Sequence, residues 1–334
     1  MNHNFYMQRC LQLAQNGLGT TYPNPLVGSV IVGADGVILG EGFHHQAGKP
    51  HAEVNAIADA EQRGVTNFSK AIIYVNLEPC SHHGKTPPCA LLLIEKGFKQ
   101  VVIGTLDPHE KVAGKGVRLL EQAGIKVDVG FLETECNELN KRFFTFHKKQ
   151  RPYIILKWAQ SADGFLAPLS KNENKPVWIT GTETRQYVHK TRAQEQAILV
   201  GGKTVIDDDP SLTVRDWHGK QPVRVVLDSK NDLIKTYKIF DEQADTKVLH
   251  RPSNEIQSIL KDLYDLQIQS VIVEGGLKTL QSFLNADAWD EIHQYIGTVV
   301  YLKDGLPAPH IPALAELKNR LIIQNDVLKT YIKA

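Results

Sequence analysis

Regular alternation between strand-like and helix-like segments is the feature that most restricts what this chain can fold into. Across the first 147 residues a helix over Phe5–Asn16 is followed by a hairpin of "VGSVIV" and "GVILGEGF", and then by a helix in "HAEVNAIADAEQRG". The last of these carries apolar residues at Val54, Ile57 and Ala58 and stops at a glycine. Strand "AIIYVNL", helix "PPCALLLIEKG", strand "QVVIGTLD", helix "GVRLLEQAG", strand "IKVDVG" and a last helix over Thr134–Phe146 complete the series. Strands joined through helices pair side by side in parallel, so the pattern predicts a largely parallel sheet covered on both faces, an α/β sandwich. Around "HKKQRP" charge rises and apolar periodicity lapses, which makes 148–152 the linker between a domain at 1–147 and a second at 153–334. A new alternating series, "YIILKWA", "AILVGG", "VRVVLD", "KVLH" and "SVIVEGG", follows it. No period repeats between the halves, so two different domains are expected rather than a duplication.

A length of 334 residues gives each domain enough chain to bury a core. The formal charge of +1 provides no reason to expect nucleic acid or an anionic membrane as partner, so an acidic ligand must be held by local basic residues. The start, "MNHNFYMQRCLQLAQNG", lacks the features of a signal peptide, and no run approaches a membrane span; a cytoplasmic protein is expected. In that reducing compartment Cys80 and Cys89 are expected as thiolate ligands rather than a disulfide, and Cys10 and Cys136, set among helical apolar residues, as inert buried thiols.

The stretch "NLEPCSHHGKTPPC" runs from a strand end to the next helix, where Thr86 caps, Pro87 opens the helix and Cys89 falls in the first turn. Upstream, "HAE" places His51 and Glu53 at another helix start. One imidazole and two thiolates leave the fourth position of a tetrahedral zinc open to water, which the metal acidifies, while Glu53, not a ligand, carries the proton to a leaving amine. This combination is the pattern of zinc deaminases. A closed structural zinc is the competing reading. His82 and His83 are alternative ligands, but we favour the cysteines, which stand at either end of that loop.

On "PNPLVGSVIV", "GEGFHHQAGKPHAEVNAI", "NLEPCSHHGKTPPC" and "AGKGVRLLEQAGI" the first half resembles the deaminase domain of the bifunctional riboflavin-biosynthesis deaminase/reductase family, which has the cytidine-deaminase three-layer α/β/α fold. The resemblance implies hydrolytic removal of an exocyclic amine from a diaminopyrimidinone bearing a ribosylamino 5′-phosphate. It places zinc on His51, Cys80 and Cys89, proton transfer on Glu53, and substrate contacts on Asn24, His44 and Lys85. An ammonium on a glycine-containing loop suits a phosphate, although a solvated lysine is the ordinary alternative. Asp107, Pro108, His109 and Glu110 stand where the family has Asp-Pro-Asn-Pro.

The second half has neither GxGxxG nor a P-loop, so a Rossmann dinucleotide site and an NTPase are unsupported. Two strand-Gly-Gly turns, at Gly201–Gly202 and in "VIVEGGLKTLQSFL", offer helix starts that can receive a pyrophosphate; the acids of "TVIDDDP" read as a solvated loop. "LKWAQSADG", "VWIT", "TRAQEQAILVGGKTVIDDDPSLTVR", "VRVVLDS" and "VIVEGG" occur in the order of the same family's reductase domain, a dihydrofolate-reductase-like α/β fold. That similarity implies NADPH-dependent reduction of the ribosyl group to ribityl. By position it assigns Gln160, Trp178, Thr204, Asp208, Ser229, Gly276, Leu277, Lys278, Thr279, Leu280, Gln281 and Ser282 to the cofactor. Lys157, Arg192, Leu212, Arg215 and Glu274 fall to the sugar phosphate side. Asn174, Lys175, Pro176 and Val177 depart from the family, Pro176 removing a hydroxyl. The expected partners are a small phosphorylated pyrimidine and further copies of the chain; the tail beyond Leu302 carries no recognisable motif.

Overall fold

In the computed structural model, residues 2–81, 87–108, 113–169 and 177–333 are described. The chain divides into two compact units, Met1–Lys149 and Gln150–Ala334.

The first unit runs α1 (His3–Gln15), β1 (Gly28–Val32), β2 (Ile38–Phe43), α2 (Ala52–Gln62), β3 (Ile72–Leu77), α3 (Cys89–Lys96), β4 (Gln100–Thr105), α4 (Lys115–Gln122), β5 (Lys126–Val129), α5 (Glu133–Leu139) and α6 (Lys141–Lys149). Its sheet has the order β2-β1-β3-β4-β5. Strand β1 pairs antiparallel with β2 and β3, whereas β3, β4 and β5 are parallel. Alternation along β3 explains the layers. Ile73 and Val75 join a core with Ala56, Ile57 and Ala60 of α2, Leu93 of α3 and Leu120 of α4. Ile72 and Tyr74 point the other way, onto Met7, Cys10 and Leu11 of α1 and Cys136 of α5. With side chains of period two buried on each face, the result is the expected α/β/α sandwich.

The single helix expected over Thr134–Phe146 is two. Asn140 interrupts it, its amide accepting from Leu26 N–H at 2.8 Å and donating to Leu26 C=O at 2.9 Å. Helix α3 begins at Cys89 with Pro88 as its cap residue, later than the sequence suggested; the expected cap Thr86 lies outside the described residues. Helix α6 continues through Lys149, its final turn carrying His147, Lys148 and Lys149, cations that favour a helix carboxyl end. Part of the expected 148–152 linker is therefore helical.

The second unit comprises β6 (Tyr153–Ser161), β7 (Phe165–Ala167), α7 (Thr182–Gln194), β8 (Ala197–Gly201), α8 (Gly202–Asp208), β9 (Val223–Leu227), β10 (Thr246–Leu249), α9 (Ile256–Asp265), β11 (Ser270–Gly275), α10 (Leu277–Asn285), β12 (Glu291–Gly297), β13 (Leu306–Pro307), β14 (Ala315–Ile323) and β15 (Asp326–Lys333). Its main sheet has the order β10-β9-β8-β11-β6-β12-β15-β14. The first six strands in that order are mutually parallel, and β15 and β14 add on antiparallel. Ala197 and Leu199 face a core built with α9 and α10, while Ile198 and Val200 face Val205 of α8, Leu212 and Ile239. The acids of "TVIDDDP" are thus not wholly a loop: Asp207 and Asp208 end α8, and Lys203 pairs with Asp207 one turn away. The tail is ordered as well. "AELKNRLII" and "DVLKTYIK" form the β14–β15 hairpin, whose turn residue Gln324 has φ +53°.

Candidate active sites

In the first unit two helix starts and one strand end converge. His51 is the N-cap of α2 and places Glu53 in its first turn; Cys80 lies just beyond β3; Cys89 opens α3. His51 Nδ1 stands 3.6 Å from Cys80 Sγ and 3.4 Å from Cys89 Sγ. All three donor atoms fall within 4.8 Å of one another, and the sulfurs are not bonded to each other. A tetrahedral zinc, with Zn–S about 2.3 Å and Zn–N about 2.0 Å, holds its ligand atoms roughly 3.5 Å apart, so this soft nitrogen and sulfur set fits the ion. A hydrogen bond from the Cys89 thiol, followed by one from His51, pushes the Cys80 thiol down, and the shared proton holds Cys89 up. The Cys89 backbone N–H also donates to Cys80 Sγ at 3.3 Å. Glu53 is 3% exposed, and burial, reinforced by the charge of Cys80, raises it to about 7.

Asn24 and His44 come together beside the imidazole. The His44 and His51 rings lie edge to face at 5.3 Å. His44 Nδ1 donates to the Pro50 carbonyl at 3.0 Å, which leaves Nε2 to accept from the Asn24 amide at 3.0 Å. Burial lowers the His44 pKa, which favours the neutral ring that this pair of bonds uses. Lys85, His82, His83 and His109 lie outside the described residues. Cys10 and Cys136 are buried, and burial raises each thiol, Cys136 to about 12. The sequence reading passed over Glu78, within its own quoted stretch. The Glu78 carboxylate is 5% exposed and accepts backbone N–H groups of Asp107, Gly114 and Gly116 at 3.2, 2.9 and 2.8 Å, so it braces the segment after β4 against the cysteine-bearing loop.

In the second unit several of the expected cofactor positions lie at the carboxyl ends of the central parallel strands. Gln160 is the last residue but one of β6, Thr204 lies in α8, Ser229 follows β9, and Gly276 caps α10, whose first residues, 277–282, follow β11; these positions lie at or just beyond the carboxyl ends of parallel strands. Strands β8 and β11 are neighbours, yet α8 packs on one face of the sheet and α10 on the other. In an open α/β sheet such a divergence at neighbouring strand ends is the usual ligand position. The two Gly-Gly turns there interlock. A Cβ on Gly276 would stand 3.0 Å from Thr204 Oγ1, and one on Gly201 would stand 2.8 Å from Thr279 Oγ1. Gln160 Oε1 accepts from Trp158 Nε1 and Gln294 Nε2, each at 2.9 Å. Trp178 is 59% exposed, with the Arg185 guanidinium 5.2 Å above its ring. Asp208 and Lys278 are exposed.

Near the carboxyl end of β11 lies a charged cluster. Arg192 grips Glu274 with two bonds of 2.9 and 2.8 Å, and Lys157 Nζ lies 3.6 Å from the same carboxylate and 5.6 Å from the Tyr295 ring centroid. Burial alone would raise Glu274, but Arg192 and then Lys157 overcome it and hold the carboxyl at about 2. Burial lowers the Lys157 pKa. The guanidinium fork of Arg192 is thereby engaged by protein, whereas Arg215 is exposed, with Nη1 donating to Thr213 Oγ1 at 3.0 Å. Leu212 is buried in the core with φ +51°, so its backbone rather than its side chain is presented.

Comparison with known proteins covers the chain in two parts. Residues 1–105 match the cytidine and deoxycytidylate deaminase zinc-binding region, and residues 152–301 match the RibD C-terminal domain. The riboflavin biosynthesis protein RibD of Aquifex aeolicus is 44% identical over 87% of this chain and 85% of its own length, and that of Escherichia coli K12 is 38% identical over 95% and 93%. The crystal structure of a diaminohydroxyphosphoribosylaminopyrimidine deaminase/5-amino-6-(5-phosphoribosylamino)uracil reductase from Thermotoga maritima superposes with a TM-score of 0.90 at 37% identity, covering 99% of each chain. Acinetobacter baumannii RibD gives a TM-score of 0.87 at 33% identity, again over 99% of each chain.

Proposed function

The chain belongs to the RibD family of riboflavin biosynthesis proteins, and from that premise we propose which of its residues perform each of its two reactions. It is a bifunctional enzyme that deaminates 2,5-diamino-6-(5-phosphoribosylamino)pyrimidin-4-one and then reduces the ribosyl group with NADPH, giving 5-amino-6-(5-phosphoribitylamino)uracil. We assign the deaminase to 1–147 and the reductase to 153–334.

His51, Cys80 and Cys89 hold the zinc, and Glu53 is the proton carrier; the observation that carries this reading is three donor atoms within 4.8 Å beside a buried carboxylate that is not among them. Bound zinc supplies the Lewis acidity that makes water a nucleophile near neutral pH. Glu53 would take a proton from the water as its oxygen bonds to the ring carbon and return that proton to the exocyclic nitrogen; the carbon–nitrogen bond then breaks and ammonia leaves, while the second water proton passes to the adjacent ring nitrogen and the oxygen becomes the ring carbonyl. The neutral His44, with its acceptor nitrogen turned to Asn24, sets the Asn24 amide toward the pyrimidine. We assign Lys85 to the 5′-phosphate.

For the reduction, NADPH supplies the hydride. Gln160, Trp178, Thr204, Asp208, Ser229 and the segment Gly276–Ser282 are its proposed seat, a reading supported by the divergence of the connections after the neighbouring strands β8 and β11 and by the two amide-rich helix starts there. Lys157, Arg192 and Glu274 form the polar wall for the sugar, Leu212 contributes backbone, and the exposed fork of Arg215 meets the phosphate. Placement of the sugar carbon against the nicotinamide then accounts for most of the rate.

Replacing Glu53 with Gln tests the assignment. Zinc content is expected to be unchanged, ammonia release to fall by roughly 10²–10⁴-fold, and oxidation of NADPH at 340 nm with the deaminated substrate to persist. Retained ammonia release would reject the role. We further propose a cytoplasmic, homo-oligomeric enzyme. Among the described residues no helix is long and apolar enough to cross a membrane. Edge strand β14 exposes Leu317 at 53% and Ile322 at 66%, the kind of surface that a second copy covers.

A further inference from the structure

One face of α7 reaches a single loop with three successive side chains. Arg185, His189 and Arg192 are spaced four and three residues apart, so they stack along one side of the helix. Arg185 Nε lies 2.6 Å from the Asp216 carboxylate. His189 Nδ1 accepts the backbone N–H groups of Arg215 at 2.8 Å and Asp216 at 3.2 Å. Arg192 Nη1 donates to the Thr213 carbonyl at 3.2 Å. The loop so held contains Leu212, in its left-handed conformation, and Arg215.

His189 is the unusual member. It is 2% exposed, and both backbone N–H groups that it accepts flank the Arg215 side chain. Two adjacent amides aimed at one acceptor fix the orientation of the peptide between them, and with it the direction in which the Arg215 side chain leaves the chain. Burial, together with the charges of Arg192 and Arg215, holds the imidazole at about 4, so Nδ1 remains an acceptor at neutral pH. Arg192 and Arg185 act elsewhere as well, on Glu274 and over Trp178, whereas His189 bonds to this loop.

We propose that His189 is a positioning residue for the reductase: by accepting the Arg215 and Asp216 amides it presents the Arg215 fork to the 5′-phosphate of the ribosylaminopyrimidine, and so sets substrate affinity without touching substrate. This rests on the reading that Arg215 meets the phosphate. An asparagine at 189 keeps an acceptor one bond beyond Cγ, where Nδ1 stands, while a leucine keeps the bulk and removes the acceptor.

The test uses the full-length zinc-loaded chain, following NADPH oxidation against the concentration of the deaminated substrate. His189→Leu is expected to raise KM at least tenfold with kcat within about threefold, and His189→Asn to bring KM back to within about threefold of the parent. NADPH affinity and ammonia release, measured on the same samples, are expected to stay within twofold, which shows that the variants are folded. Arg215→Ala separates the two layers. A KM raised by Arg215→Ala but unchanged by His189→Leu overturns the positioning role alone. A KM that Arg215→Ala leaves unchanged overturns the phosphate assignment and the proposal with it. Failure of His189→Asn to restore KM while NADPH affinity is intact also overturns it.

Discussion

Glu274 is a carboxylate held ionised inside the second unit by Arg192 and Lys157. Its pKa of about 2 lies below the ordinary 4.5, so its contribution to stability is complete above about pH 4.5 and is lost as the pH falls toward 2. That difference corresponds to roughly 3 kcal/mol. Glu274→Gln strands two buried cations, and we expect it to destabilise the unit by about 3–5 kcal/mol at pH 7 and to flatten the acid limb below pH 4.5. Tryptophan fluorescence in urea is the suitable readout, because all four tryptophans, Trp158, Trp178, Trp217 and Trp289, lie in this unit. An unchanged midpoint would show that the cluster contributes nothing. Residues of this kind were partly legible. His51, Glu53, Cys80 and Cys89 stand in short stretches whose spacing implies their chemistry, whereas the bonds of His189 to the 215–216 backbone join separate elements, and no local pattern signals them.

Among the elements, the paired turns after β8 and β11 are the most exacting. Each glycine leaves room for the threonine hydroxyl that follows the other turn. Gly276→Ala brings a methyl to 3.0 Å from Thr204 Oγ1, which must move; we expect NADPH affinity, measured by fluorescence titration, to drop at least tenfold while ammonia release is unaffected. Equal affinity in the variant would separate this turn from the cofactor. Strands and helices with a clear apolar period were readable in advance, β3 and α2 among them, because their pattern is dictated by burial on a sheet face. The break between α5 and α6 was not, since Asn140 leaves the helix to satisfy the backbone of Leu26, far away in sequence. Nor was the helical state of Asp207 and Asp208, which close α8 where its last turn meets water. The β14–β15 hairpin did leave a trace, two β-rich runs flanking Gln324 and Asn325, but a turn without glycine is a weak signal.

Across the whole molecule, each activity has its own sheet and its own hydrophobic core. Removing zinc with a chelator is accordingly expected to abolish ammonia release while NADPH oxidation with the deaminated substrate stays within twofold; concurrent loss of the second activity would refute their independence. Assembly belongs to this scale too. If β14 forms the interface of the proposed homo-oligomer, introducing lysine at Leu317 and Ile322 is expected to lower the molar mass measured by light scattering, and an unchanged mass would overturn that placement. Two self-sufficient cores on one unbroken backbone also carry a consequence for the cell. A single translation event delivers one copy of each catalyst, so no difference in expression or turnover can tilt their ratio, and every aminated precursor processed by the first activity finds an equal supply of the second.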